Sequence, residues 1–238
     1  MLNPRYKYVG IDFETTGLDT KKDCPIQVGL VEIDGYGEMI DSFDSLIKPT
    51  KEITELKNIV KFITKIETAQ LVFAPESSEI ADQISHFFGD QVIIIGHNIN
   101  FDLAFLERML PGVPYYAAFD TFQFAQALVP YPPSYALEIL MQHLEDKPLF
   151  LQWKTKFGLS FANPLSPSAI SSGGEVQRDS FDSGEPSFHD ALYDTKSTLA
   201  LFCYLISYLQ QIREKYPVLQ RYITKSNTLL KEILADRN

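Results

Sequence analysis

Cysteine and positive charge are scarce in this 238-residue chain, and each scarcity argues against a class of protein. Only Cys24 and Cys203 are present, far apart and outside any C-x-x-C pattern, so neither a structural zinc site nor a disulfide scaffold is signalled and a reducing compartment fits. Long apolar runs are missing too. The longest, Thr198 to Leu209, is too short to span a bilayer, and Met1 to Lys7 has no signal-peptide core. The expectation is a cytoplasmic protein without a membrane partner. Lysine and arginine number 21 against 31 acids, a formal charge of -10, which disfavours a long non-specific grip on a nucleic-acid duplex. Bound divalent cations would reverse that sign locally, where a phosphate must sit.

Hydrophobic residues make up 45% of the chain, enough to fill one large α/β domain, or a domain with an appendage. The stretch Tyr8 to Gly17, Y-V-G-I-D-F-E-T-T-G, is an apolar run broken by Asp12 and Glu14 at a spacing of two. Strand side chains alternate, so Tyr8, Gly10, Asp12 and Glu14 share one face while Val9, Ile11 and Phe13 take the other. Two carboxylates held that close repel and raise each other's pKa unless something positive lies between them, and oxygen ligands suit a divalent cation. A solvated strand end with two unrelated acids is the other reading of D-x-E alone. The rest of the chain decides between them.

Pro25 to Ile33 reads as a second strand and Glu38 to Ile47 as a third, joined through the turn signal Asp34-Gly35-Tyr36-Gly37 into an antiparallel hairpin. Thr50 to Lys65 favours helix, with Lys57, Lys61 and Lys65 on one face, either solvated or steering phosphate. Pro75 to Gly89 predicts a helix ended by its glycine. The β-branched run Val92 to Ile95 predicts a strand buried on both faces, reached by a parallel crossover. After it, a polar cluster from Gly96 to Asp102 opens a helix at the carboxyl end of the strand, where open α/β sheets bind ligands. Asp120 to Leu128 and Ser134 to Leu144 read as helices separated by Pro130, Pro132 and Pro133. Lys147 to Phe161 is apolar and aromatic and holds Trp153, whereas Asn163 to Ser187 is rich in Ser, Pro and Gly and reads as a mobile loop. A long apolar helix follows His189 to about Tyr216, and Leu219, Tyr222, Ile223, Leu230, Ile233 and Leu234 suggest one more.

Three stretches carry chemistry: D-F-E-T-T-G-L from Asp12 to Leu18, H-N-I-N-F-D from His97 to Asp102, and H-D-A-L-Y-D from His189 to Asp194. Together and in this order they resemble the three motifs of the DEDDh family of 3'-to-5' exonucleases, in the ribonuclease H-like superfamily. That family includes the proofreading exonuclease subunits of bacterial DNA polymerase III and several RNA-trimming enzymes. A tyrosine branch places Tyr four residues before the last Asp; here that residue is Asp190, and His189 stands five before, so the histidine branch is the closer match.

The resemblance implies an α/β, ribonuclease H-like mixed sheet, with an antiparallel hairpin start and then parallel strands, flanked by helices. It implies an exonuclease domain over residues 5–216 with 146–187 as an insertion, and a C-terminal helical extension over 217–238. The insertion departs from compact members, and its aromatics Phe150, Trp153, Phe157 and Phe161 either stack bases or cover apolar core. Two divalent cations, Mg²⁺ or Mn²⁺, are the implied cofactors. Hydrolysing a phosphodiester needs an activated water, neutralised charge and help for the leaving oxygen, all of which two cations about 4 Å apart supply. By resemblance Asp12 bridges both, Glu14 and Asp194 complete the site of the water-activating one, Asp102 holds the second, and His189 takes the water's proton.

Thr15, Thr16 and Gly17 resemble the segment that contacts the terminal nucleotide, with Leu18 placed to wedge against its base. Asn98 bonds sugar or phosphate, or satisfies backbone; His97 reads as structural, and Asp190 and Tyr193 stand outside the set. The implied substrate is the 3' end of single-stranded DNA, releasing 5'-mononucleotides, with a DNA polymerase as candidate partner and no oligomeric state indicated. An exoribonuclease would use the same five residues. A polymerase-associated module without catalysis would have no need of them.

Overall fold

The computed structural model describes residues 2–50, 57–159, 188–216 and 228–234. Strands Lys7–Thr15 (β1), Pro25–Ile33 (β2), Met39–Leu46 (β3), Gly89–Gly96 (β4) and Tyr115–Asp120 (β5) form one sheet in the order β3-β2-β1-β4-β5. The first three strands are antiparallel neighbours, and β4 joins β1, then β5 joins β4, in parallel. This is the expected hairpin start followed by parallel strands. It sets β1 at the centre.

Helices cover both faces. Asn58–Thr64 (α1), Thr68–Val72 (α2), Ser77–Ile84 (α3) and Asn100–Met109 (α4) lie between β3 and β5 in the chain, and Thr121–Leu128 (α5), Leu137–His143 (α6), Pro148–Lys156 (α7), Ala191–Lys215 (α8) and Thr228–Ile233 (α9) follow. Alternation along β1 divides the core in two. Val9, Ile11 and Phe13 pack with Ile80 and Ile84 of α3 and Phe105 and Leu106 of α4. On the other face Tyr8 packs with Leu199, Phe202 and Leu205 of α8. No helix of the described residues is long and apolar enough to cross a membrane.

Several boundaries differ from the sequence expectation. The lysine stripe is absent, because α1 has only seven residues and Lys57 and Lys65 flank it rather than share its face. The helix expected up to Gly89 ends at Ile84 in a 3-10 turn over Ser85–Phe87, and Gly89 instead opens β4. Strand β5 has no signal in its own half-exposed residues; parallel pairing with β4 creates it. Residues 160–187, most of the expected insertion and its loop, and 217–227 lie outside the described residues. The first part of that insertion is core. Phe150 and Phe157 are buried, and Trp153 sits against Gly37 in the β2–β3 turn, at the end of the sheet away from Glu14. Base stacking by Phe150, Phe157 or Trp153 is thereby replaced by packing. Helix α9 folds back on the N-terminal segment, where the Asn3 N–H donates to Ile233 O at 2.8 Å and Tyr6 Oη to Glu232 Oε2 at 3.0 Å.

Helix α8 lies directly on the sheet because two positions beneath it have no side chain. A Cβ on Gly29 would stand 2.3 Å from the Ala191 carbonyl oxygen, and one on Gly10 would stand 2.8 Å from Cγ of Leu199. Thr195 Oγ1 then donates to Gly29 O at 3.0 Å. We expect Gly29→Ala to cost about 1–3 kcal/mol, because backbone must move, and to displace Asp194, which moves with the helix. Gly10→Ala meets only side-chain atoms and should cost less. Urea unfolding of both variants checks this; equal stability of Gly29→Ala and the parent would contradict the close approach.

Candidate active site

The carboxyl end of β1 brings Asp12 and Glu14 to the face that α8 covers, opposite Gly29 and Gln27 of β2. Three turns of circumstance complete the cluster. Pairing of β1 with β4 ends at Gly10, and beyond it the Phe13 N–H donates to Asp102 Oδ1 at 3.1 Å, which draws the start of α4 against β1. Close approach of α8 buries Asp194 in its first turn. Entry into α8 then wraps over the site, with the His189 N–H donating to Asp194 Oδ2 at 3.0 Å. His189 holds φ 68, a left-handed conformation costing a non-glycine residue roughly 1–3 kcal/mol. That conformation turns an exposed imidazole toward the acids: ligand atoms of Glu14, His189 and Asp194 all lie within 4.8 Å of one another.

Electrostatically the site is unbalanced. Burial, then the charge of Asp190, pushes Asp12 up to about 7. Burial, then Asp12 and Asp190, pushes Glu14 up to about 8. Asp102 and Asp194 are raised well above the usual carboxylate range by burial and then by Asp12, and the backbone N–H groups of Phe13 and His189 offset only part of it. Asp194 Oδ1 is buried without a hydrogen-bond partner. A buried, unpartnered carboxylate oxygen beside other acids fits a hard divalent cation. Asp12, Glu14, Asp102 and Asp194 are the residues present to hold one or two.

The neighbouring expectations divide. Thr15 Oγ1 donates to Gly17 O at 2.7 Å, and Thr16 Oγ1 donates to Asp23 Oδ1 at 3.2 Å while accepting the Cys24 N–H at 3.0 Å, so both hydroxyls shape the loop after β1. Leu18, at the tip of that loop, is 88% exposed. Asn98 takes φ 67 and its N–H donates to Asp120 Oδ1 at 3.0 Å, leaving its side chain on the surface before α4. His97 is held at both ring nitrogens, by Thr121 Oγ1 at 3.0 Å and Tyr135 O at 2.8 Å, which makes it a structural pin. Tyr193 is core.

Two residues beside the acids carry more than the sequence reading gave them. Asp190 caps α8 by accepting the Tyr193 N–H at 3.0 Å, and its charge raises Asp12, Glu14 and Asp194. Gln27 Nε2 donates to Asp44 at 3.0 Å and to Asp190 at 3.3 Å, while Gln27 Oε1 accepts the Ala191 N–H at 3.4 Å. Asp190 was legible as the N-cap before a helix. Gln27 had no such signal, since only the β1–β2 register sets it beside Glu14.

Comparison with known proteins agrees with this geometry. The exonuclease family RNase_T matches residues 9–149. A PolC-type DNA polymerase III of Thermotoga maritima is 34% identical over 146 residues, covering 58% of this chain and 10% of that protein. Its counterpart from Staphylococcus aureus is 27% identical over 211 residues, covering 87% of this chain and 12% of that protein. The chain therefore spans about a tenth of the length of these curated relatives. Among solved structures, zinc-bound E. coli exonuclease I with single-stranded DNA superposes with a TM-score of 0.60 at 18% identity, over 93% of this chain and 43% of that one. Exonuclease X with 5'-overhanging duplex DNA gives 0.52 at 21% identity, over 84% and 91%. These likenesses show the fold. Since the family match spans more than half of its length, the chain belongs to the exonuclease family RNase_T, and its motifs and fold are those of a DEDDh-type member of the ribonuclease H-like superfamily.

Proposed function

We propose that this chain hydrolyses phosphodiester bonds from the 3' end of single-stranded DNA, releasing 5'-mononucleotides, with Mg²⁺ or Mn²⁺ as cofactor. The observation that carries the reading is the acidic site in which Glu14, His189 and Asp194 converge within 4.8 Å and the buried Asp194 Oδ1 has no partner. DNA is favoured over RNA because the relatives are DNA polymerases and the solved neighbours hold DNA. The same relatives support work beside a DNA polymerase, in proofreading or repair.

Asp12, Glu14 and Asp194 would hold one cation, and Asp102 with Asp12 the other. Bound there, the cations supply Lewis acidity and a water of lowered pKa. His189 has a different task. Its imidazole stands exposed beside Glu14 and Asp194, which supports the reading that it takes the proton of the attacking water and returns it to solvent. Asp194 Oδ2, by accepting the His189 N–H, holds that backbone in place. Thr15, Thr16 and Gly17 form the wall that the terminal nucleotide meets, Leu18 presents an apolar edge to separate the last bases, and the Asn98 side chain reaches sugar or phosphate.

Asp12→Asn should lower turnover by about a thousandfold or more, equivalent to about 4 kcal/mol, while the far-ultraviolet spectrum and cooperative unfolding persist. Turnover at the parent rate in Mg²⁺ would remove β1 from the mechanism. His189→Ala should lower kcat, with Mn²⁺ affinity nearly unchanged. His97→Ala should instead lower the melting temperature, because both its ring nitrogens are committed to Thr121 and Tyr135. The opposite ranking of the two variants in kcat would overturn the choice of base.

A further inference from the structure

The loop over residues 16–24 is held far more firmly than its exposure requires. Asp23 closes it from within, its Oδ2 accepting the Asp19 N–H at 2.8 Å and its Oδ1 the Thr16 hydroxyl at 3.2 Å. The Thr16 N–H donates to Cys24 O at 2.9 Å across the loop's base. Gly17 has no room for a side chain, since a Cβ there would stand 2.5 Å from Asp23 Oδ2. What this framework presents is one large apolar residue, Leu18, 88% exposed.

One contact ties the loop to the rest of the site. Arg108 stands six residues after Asp102 on α4, and its Nη1 donates to Thr20 O at 2.7 Å and to Asp23 O at 2.8 Å. Its guanidinium lies 5.4 Å from the centroid of the Phe105 ring. Phe105 is buried and packs on Phe13, the residue between Asp12 and Glu14. Helix α4 therefore carries a candidate metal ligand at its start and, near its end, the clamp on the loop that bears Leu18. Two carbonyl oxygens bonded to a charged donor make a stronger link than neutral bonds would.

We infer that Arg108 is a positioning residue, which fixes Leu18 relative to the catalytic carboxylates and so sets how tightly the last bases of a strand are held. The inference rests on the reading of Leu18 as the residue that meets those bases. Arg108 acts only through the loop, not on the reacting atoms.

The test is a double-mutant cycle on KM for a single-stranded oligonucleotide, with bis(p-nitrophenyl) phosphate, which has no base, as the second substrate. Leu18→Ala and Arg108→Ala should each raise the oligonucleotide KM by about tenfold, with the double variant no worse than either single, because coupled residues depart from additivity. Arg108→Ala should leave kcat and base-free hydrolysis nearly unchanged. Arg108→Lys, whose ammonium can reach the same carbonyls, should recover most of the lost affinity. If Leu18→Ala leaves KM unchanged, the reading of Leu18 fails and the inference with it. If Leu18→Ala raises KM but the two effects multiply, or Arg108→Ala falls equally on both substrates with a lowered melting temperature, only the role of Arg108 is overturned.

Discussion

Repulsion among two buried and two half-buried carboxylates is the constraint on which the rest of the structure depends. Asp12, Glu14, Asp102 and Asp194 come from three separated parts of the chain, and each is pushed toward its neutral form by burial and by the others. Nothing in the energetics of folding rewards that arrangement; the surrounding structure imposes it. Glycines at 10 and 29 allow α8 to descend, the Phe13 N–H holds Asp102, and the left-handed turn at His189 wraps the helix entry over the acids. Strain and unsatisfied polar groups gathered at one place mark a site organised for a ligand rather than for stability.

The same reasoning resolves the net charge of -10, which on its own speaks against a protein of polynucleotides. A site that concentrates negative charge where a phosphate must bind works only if cations reverse its sign. Among the described residues outside the site, several basic side chains are already committed. Lys61 pairs with Glu67 at 3.4 Å and Lys48 with Glu76 at 2.6 Å, and Arg108 is committed to loop carbonyls.

Much of this was legible in the sequence, for a physical reason. Alternation in β1 separates Asp12 and Glu14 from Val9, Ile11 and Phe13 whatever else the chain does, and the two cores follow that division. The polar cluster after β4 lies at the strand's carboxyl end, as its position predicts, and the third motif opens a long helix. Hidden features were those created by tertiary contact. Strand β5 exists through its pairing, α3 gives way to a 3-10 turn, and Phe150 and Phe157 look like base-stacking aromatics until α8 is packed on them. Gln27 and Arg108 are ordinary polar residues in the sequence. Only the register of β2 and the direction of α4 place one beside Glu14 and the other on the Leu18 loop.

Unfolding free energy measured against pH, with and without Mn²⁺, tests most directly whether the acids await cations. A carboxylate whose folded pKa is raised binds protons more tightly in the native state, so stability is greatest below the unfolded pKa and is lost as pH rises through the folded one. With Asp12 near 7 and Glu14 near 8, the metal-free protein should lose stability steadily from about pH 4 to about pH 8. Saturating Mn²⁺ should abolish that decline, because the ionised acids then have their counter-charge and binding to the folded state alone stabilises it. A metal-free stability that stays level or rises across this range, and does not respond to Mn²⁺, would contradict the account.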